Sequence, residues 1–124
     1  MNITIEAENR NDYLYIVSKG DVWSADDLAT HANLIHEEFL KYNPKKILLY
    51  ELETEFLLGL SAYMEITSHY DDNFIDDMKF IKIAAVIQEK YKNIGVFWET
   101  VCTNRGFRYR AFTDPEEAER WLLE

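Results

Sequence analysis

The chain has 124 residues, 48% of them hydrophobic and 29% charged, with four glycines and two prolines. That is the make-up of one packed domain (1–124) and excludes collagen-like, low-complexity and disordered classes. Acidic residues outnumber basic ones by 23 to 13, a formal charge of −10, so the long-range field repels phosphate backbones and anionic membrane surfaces, and nucleic acid is not expected as a partner.

Cys102 is the single cysteine, so there is no intrachain disulfide and no cysteine cluster for zinc. The first residues lack a basic stretch running into an apolar core, and no window reaches the ~20 apolar residues of a spanning helix. The expectation is a soluble, cytoplasmic, cofactor-free protein with no transmembrane segment. Eighteen aromatic side chains are more than a small core readily hides, which points to a groove or interface.

Ile3 and Ile5 alternate with polar residues, a polar Glu8–Asp12 turn follows, and Tyr13–Val17 is strongly β-forming, so residues 2–18 read as a hairpin ended by Gly20-Asp21. Ser24-Ala-Asp-Asp27 is a capping signature. Leu28, Ala32, Ile35 and Phe39 then recur at helical spacing until Asn43-Pro44. Residues 45–52 form a short apolar run of strand length. Leu60, Tyr63, Ile66, Thr67, Tyr70 and Phe74 mark a second helix. Phe80–Ile87, the most continuous apolar run, reads as a strand inside the sheet. Ile94, Phe97, Trp98, Val101 and Cys102 form a third helical stripe, ending at Asn104-Arg-Gly106. In Arg105–Phe112, Phe107, Tyr109 and Ala111 alternate with Arg108 and Arg110, and Asp114-Pro115 opens a last helix, with Asp114 accepting from the third residue on. The order ββαβαβαβα gives an α/β fold: one mixed, mostly parallel sheet of about five strands with about four flanking helices, joined by right-handed crossovers.

This order resembles the SpoIIAA-like proteins of the STAS superfamily. The resemblance rests on Gly20 and Ser24–Leu28 at the first helix, the Phe80–Ile87 strand, and Phe112-x-Asp-x-Glu-Glu-Ala-x-x-Trp-Leu122 at the end. It implies a mixed sheet in a bacterial cytoplasmic protein with no known chemistry. In the anti-sigma-factor antagonists of that superfamily, the loop after the third strand reads Asp-Ser-Ser/Ala-Gly-Leu and its serine is phosphorylated. Here it reads Glu55-Phe-Leu-Leu-Gly-Leu-Ser61: Gly59 and Leu60 match, but Leu57 and Leu58 stand where the acceptor hydroxyl belongs. A leucine takes no phosphate, so a contact loop carries over and the phosphorylation switch does not.

Arg105–Phe112 approximates the RNA-stacking motif of RNA-recognition domains, but Arg108 and Arg110 break it and the net charge opposes RNA. His69, Asp72 and Asp76 would approach a cation only if the second helix ran through them, and Asp71–Asp77 reads as solvated turns, so no metal is expected. His31 and His36 are five apart, too far round a helix to chelate together; His31 borders the apolar stripe. Cys102 lies on its helix's apolar stripe and reads as an inert thiol, and Ser61 as an N-terminal capping residue.

No catalytic residues are expected. The primary reading is a non-enzymatic module acting through protein contact, with a homodimer among the candidates. Its contact loop is Glu55, Phe56, Leu57, Leu58, Gly59 and Ser61, where consecutive large apolar residues fall at a strand-to-helix connection. The alternative is a carrier or sensor of a small apolar or lipid-like ligand, held by Tyr63, Met64 and Tyr70 of the second helix and Phe97 and Trp98 of the third. The remote alternative is an acid–base enzyme.

Overall fold

The computed structural model describes residues 3–69 and 76–124. β1 (Thr4–Arg10) and β2 (Tyr13–Val22) form the expected antiparallel hairpin. Next come α1 (Ala25–Tyr42), β3 (Lys46–Phe56) and α2 (Leu60–His69). A 3-10 helix (Asp76–Phe80) leads into β4 (Lys82–Val86), and a second one (Glu89–Tyr91) into α3 (Lys92–Asn104). β5 (Arg108–Phe112) and α4 (Pro115–Leu122) complete the chain. The sheet order is β1-β2-β3-β4-β5, with every pair after the first parallel.

Three crossovers of one hand on a sheet whose strand order never reverses must fall on the same face. On that inner face Ile35 and Phe39 of α1, Met78 and Cys102 meet Leu14, Ile16, Ile47, Leu49, Ile83 and Ala85. Among the described helices, α4 covers the other face, setting Ala118 and Leu122 on Leu48, Ala84 and Val86. The alternation 47, 49 against 48, and 83, 85 against 84, 86, is the strand period expressed as two cores.

The caps fall where the chemistry requires. Ser24 Oγ accepts from Asp27 N–H at 3.2 Å, and Asn43 takes the left-handed conformation that closes α1. Gly106, at φ +86°, ends the turn after α3. Asp114 Oδ1 accepts from Glu116 N–H at 3.1 Å, one residue earlier than the spacing implies, with Pro115 in the first helical position.

Several boundaries differ from the sequence reading. Gly20 does not end β2, which passes through it at φ 126° to Val22, with Gly20 opposite Thr54. β3 runs on to Phe56, which takes Glu55 and Phe56 out of the loop. β4 begins only at Lys82: Phe80 closes the 3-10 helix and is 86% exposed, while Met78 and Ile81 supply the buried contacts. The register of β2 against β3 shifts between Val17 and Lys19, which face Tyr50 and Glu53. β3 therefore carries one extra residue there, a bulge. Buried positions on the inner face of β3 step 47, 49, 51 and then 54, 56, while Leu48 is buried on the opposite face.

Candidate functional site

Two features of the inner half of the molecule bear on function. One is the end of the sheet where β2 and β3 finish; the other is a cavity behind it.

Leu57 N–H donates to Val22 carbonyl at 2.8 Å, continuing the parallel pairing one residue past β3. Extended backbone alternates, so Phe56 and Leu58 turn inward and Leu57 outward. Phe56 meets His31 and Tyr91 edge-on at 6.0 and 5.6 Å between ring centroids, and Leu58 is buried in one cluster with Val22, Leu28 and Tyr63. Of the three consecutive apolar residues only Leu57 is open, at 43%. Of the expected Leu57–Leu58 pair, only Leu57 is exposed and Leu58 belongs to the core.

Glu55 is also held rather than offered. Tyr91 hydroxyl donates to it, and Lys90 Nζ lies 3.0 Å away. These bonds, Tyr91 first and Lys90 second, hold its carboxyl below the usual range. Gly59 has open space around it, and as the residue before α2 it stands at the N-cap position. Ser61 is exposed and is the second helical residue, not the cap.

Beside Leu57, across the Val22 bond, stands Trp23, 64% exposed between the end of β2 and the cap of α1. Its backbone N–H donates to Asp27 Oδ2 at 2.9 Å, which fixes the segment while leaving the indole outside. Trp23 did not enter the sequence-based site. It belongs to no periodic stripe, and a lone tryptophan before a capping serine has no pattern to mark it.

The cavity lies between the inner face of the sheet and helices α1, α2 and α3, with a volume of about 150 Å³. Tyr63 and Trp98, which pack edge-on at 6.1 Å, both line it. Met64 does not: one residue further round α2, about 100° on helical geometry, it points outward at 57% exposure. Phe97 packs, half-buried, against the Leu58–Tyr63 cluster without lining the cavity. Tyr70, Asp72 and Phe74 lie outside the described residues.

One wall of this apolar space is polar. Glu51, 3% exposed, puts Oε2 2.7 Å from Nε2 of His31, itself 7% exposed on the buried stripe of α1. Glu51 Oε2 nevertheless has no hydrogen bond of proper geometry among the described residues, so the contact is a close approach rather than a well-aligned bond. Behind the pair, Ser18 Oγ lies 3.1 Å from the same His31 nitrogen, and Thr54 hydroxyl donates to Ser18 at 2.8 Å. Burial raises the Tyr63 phenol above its ordinary range and Tyr109 well above it, and the charge of Glu51 adds to both.

Ser18, His31 and Glu51 are the residue types of a hydrolytic triad, but the geometry is wrong. A nucleophile and its orienting acid must occupy opposite nitrogens of the imidazole, whereas here both approach Nε2. Ser18 is also only 1% exposed. Cys102 is buried and its thiol is pushed up to about 12 by that burial, so it is a poor nucleophile. No group of three His, Cys, Asp or Glu side chains among the described residues is placed to hold a metal ion. No described helix is long and apolar enough to cross a membrane. The arginines of β5 point outward, Arg110 lying 3.8 Å from Glu99, while Phe107 is buried.

No protein-family model matches the chain, and no curated protein matches it. Solved structures do. An anti-sigma factor antagonist from Mycobacterium paratuberculosis superposes with a TM-score of 0.62 at 11% identity, over 98% of this chain and 95% of the other. An uncharacterized protein with a SpoIIAA-like fold from Shewanella loihica gives 0.56 at 19% identity, over 98% and 93%. At such identities the likeness establishes the fold alone: one mixed five-stranded sheet with four helices, of the SpoIIAA-like kind.

Proposed function

We propose that this SpoIIAA-like domain is a non-enzymatic regulatory module that works by protein contact, at the end of the sheet where Trp23 and Leu57 stand side by side. The observation that carries the reading is that pair. Two large apolar side chains, 64% and 43% exposed, are held on adjacent segments joined by the Leu57–Val22 hydrogen bond. Tryptophan is among the side chains most enriched at the energetic anchors of interfaces, and Leu57 adds apolar area next to it. Asp26 and Asp27 border it, and the chain carries −10 overall, so the fitting partner presents an apolar pocket with a basic rim. The fold shared with an anti-sigma factor antagonist supports a protein as the partner. The misplaced Ser18–His31–Glu51 geometry speaks against catalysis.

The test is affinity capture from the source organism's lysate with wild type and with Trp23→Ser/Leu57→Ser, followed by calorimetry on the purified captured protein. Loss of at least ~30-fold in affinity is expected for the double variant, since each anchor is worth upwards of about 1 kcal/mol. Equal capture by both forms overturns the proposal. Sedimentation velocity of the chain alone tells a second copy from a foreign partner.

A further inference from the structure

Protein interiors hold few voids larger than a water molecule, and each one costs stability. A cavity of about 150 Å³ in a 124-residue domain is the size that, lined with aliphatic and aromatic side chains, stays dry and admits benzene. Its body here is of that kind, walled by Leu28, Ile35, Tyr63, Ile87, Trp98 and Phe107. A dry apolar void has no use for a carboxylate in its wall, yet Glu51 is there, more than nine-tenths buried. His31 Nε2 stands 2.7 Å from Oε2 but does not saturate the carboxylate, because Oε2 lacks a well-formed hydrogen bond. A buried carboxylate has room for about four acceptor contacts and is costly to leave unsatisfied.

We propose that this cavity is a binding site for one benzene-sized apolar molecule carrying a single hydrogen-bond donor, the donor accepted by Glu51 and the apolar body lying against α1, α2 and α3. The proposal stands apart from the protein contact: Trp23 and Leu57 do not line the cavity, and Glu51 is not exposed.

The probes are phenol and toluene, equal in heavy atoms and differing in the one donor. Each is titrated into the full chain while the isoleucine and leucine methyl resonances are followed by NMR. Wild type is expected to bind phenol about 10-fold or more tighter than toluene, as a hydrogen bond to a charged acceptor implies, with shifts at Ile35 and Ile87. Glu51→Leu should abolish or reverse that preference, and Glu51→Gln, which keeps an acceptor oxygen, should retain part of it. Trp23→Ser/Leu57→Ser should bind phenol like wild type, which separates this proposal from the contact reading. Equal affinity of wild type for both probes, binding of neither, or shifts confined to residues outside the cavity overturns it, and the wild-type comparison decides even if Glu51→Leu does not fold.

Discussion

Replacing Leu57 and Leu58 one at a time by alanine separates two neighbours that the sequence presents as equivalent. Leu58 is 7% exposed and packs with Val22, Leu28, Phe56 and Tyr63. Truncating a buried leucine costs about 2–5 kcal/mol in transfer and cavity terms, and with partial collapse of its neighbours a value of about 3 kcal/mol is expected. At about 2.1 cal/mol/K of unfolding entropy per residue, a domain this size loses about 4 °C for each kcal/mol, so Leu58→Ala should melt about 12 °C lower. Leu57, with its side chain outward, should shift by no more than ~0.5 kcal/mol, or about 2 °C. Differential scanning calorimetry on matched samples reads both. If Leu57→Ala melts as low as Leu58→Ala, or Leu58→Ala costs under about 1 kcal/mol, the inward–outward alternation across residues 56–58 is wrong, and with it the choice of Leu57 as contact residue.

His31→Ala should destabilise by about 3–5 kcal/mol in urea unfolding because it leaves a buried carboxylate uncompensated, whereas Glu51→Leu/His31→Leu should cost far less; equal costs would refute the coupling of the two side chains. Glu55 titrates below its ordinary value near 4.5 in the folded chain, so the stability it contributes is present above that value and is lost as pH falls through the lowered one. The melting-temperature gap between wild type and Glu55→Gln should accordingly be open at pH 7 and close as acidification carries the pH below the lowered value. A gap that persists unchanged would mean that Glu55 acts through packing alone.

Most of the architecture was legible because local signals agreed with one another. Ser24, Asn43, Gly106 and Asp114-Pro115 mark real termini, and Phe107 just before β5 and Tyr109 within it turn inward while Arg108 and Arg110 turn outward. Glu51 was not legible, and the bulge in β3 is the reason. An unbroken period of two would put Glu51, Glu53 and Glu55 all on the inner face with Ile47 and Leu49; the extra residue opposite Ser18 leaves only Glu51 inside and turns Thr54 and Phe56 inward after it. A bulge is a property of two strands together, and one strand's sequence does not announce it. Phe80 failed for a different reason: an apolar run carries no mark of where a 3-10 turn ends and a strand begins. For residues 55–61, the apolar cluster was plain, but its division into Leu57 outside and Leu58 inside depends on the Leu57–Val22 bond.

The strand order of the sheet is also the order in which the ribosome makes it. Each strand, once synthesised, finds the strand it pairs with already in place, so the sheet can grow by addition at one edge with modest loop closures, a low-contact-order route. The inner face gains its cover as it grows, helix by helix. The outer face does not: Leu48, Ala84 and Val86 wait for Ala118 and Leu122 of α4. Tyr13 hydroxyl likewise waits for Glu119, 106 positions later, to accept its hydrogen bond at 2.6 Å. A nascent chain stopped after Phe112 therefore presents a finished sheet with one bare apolar face, the form most exposed to chaperones and proteases, and that exposure ends only when the last helix closes over it.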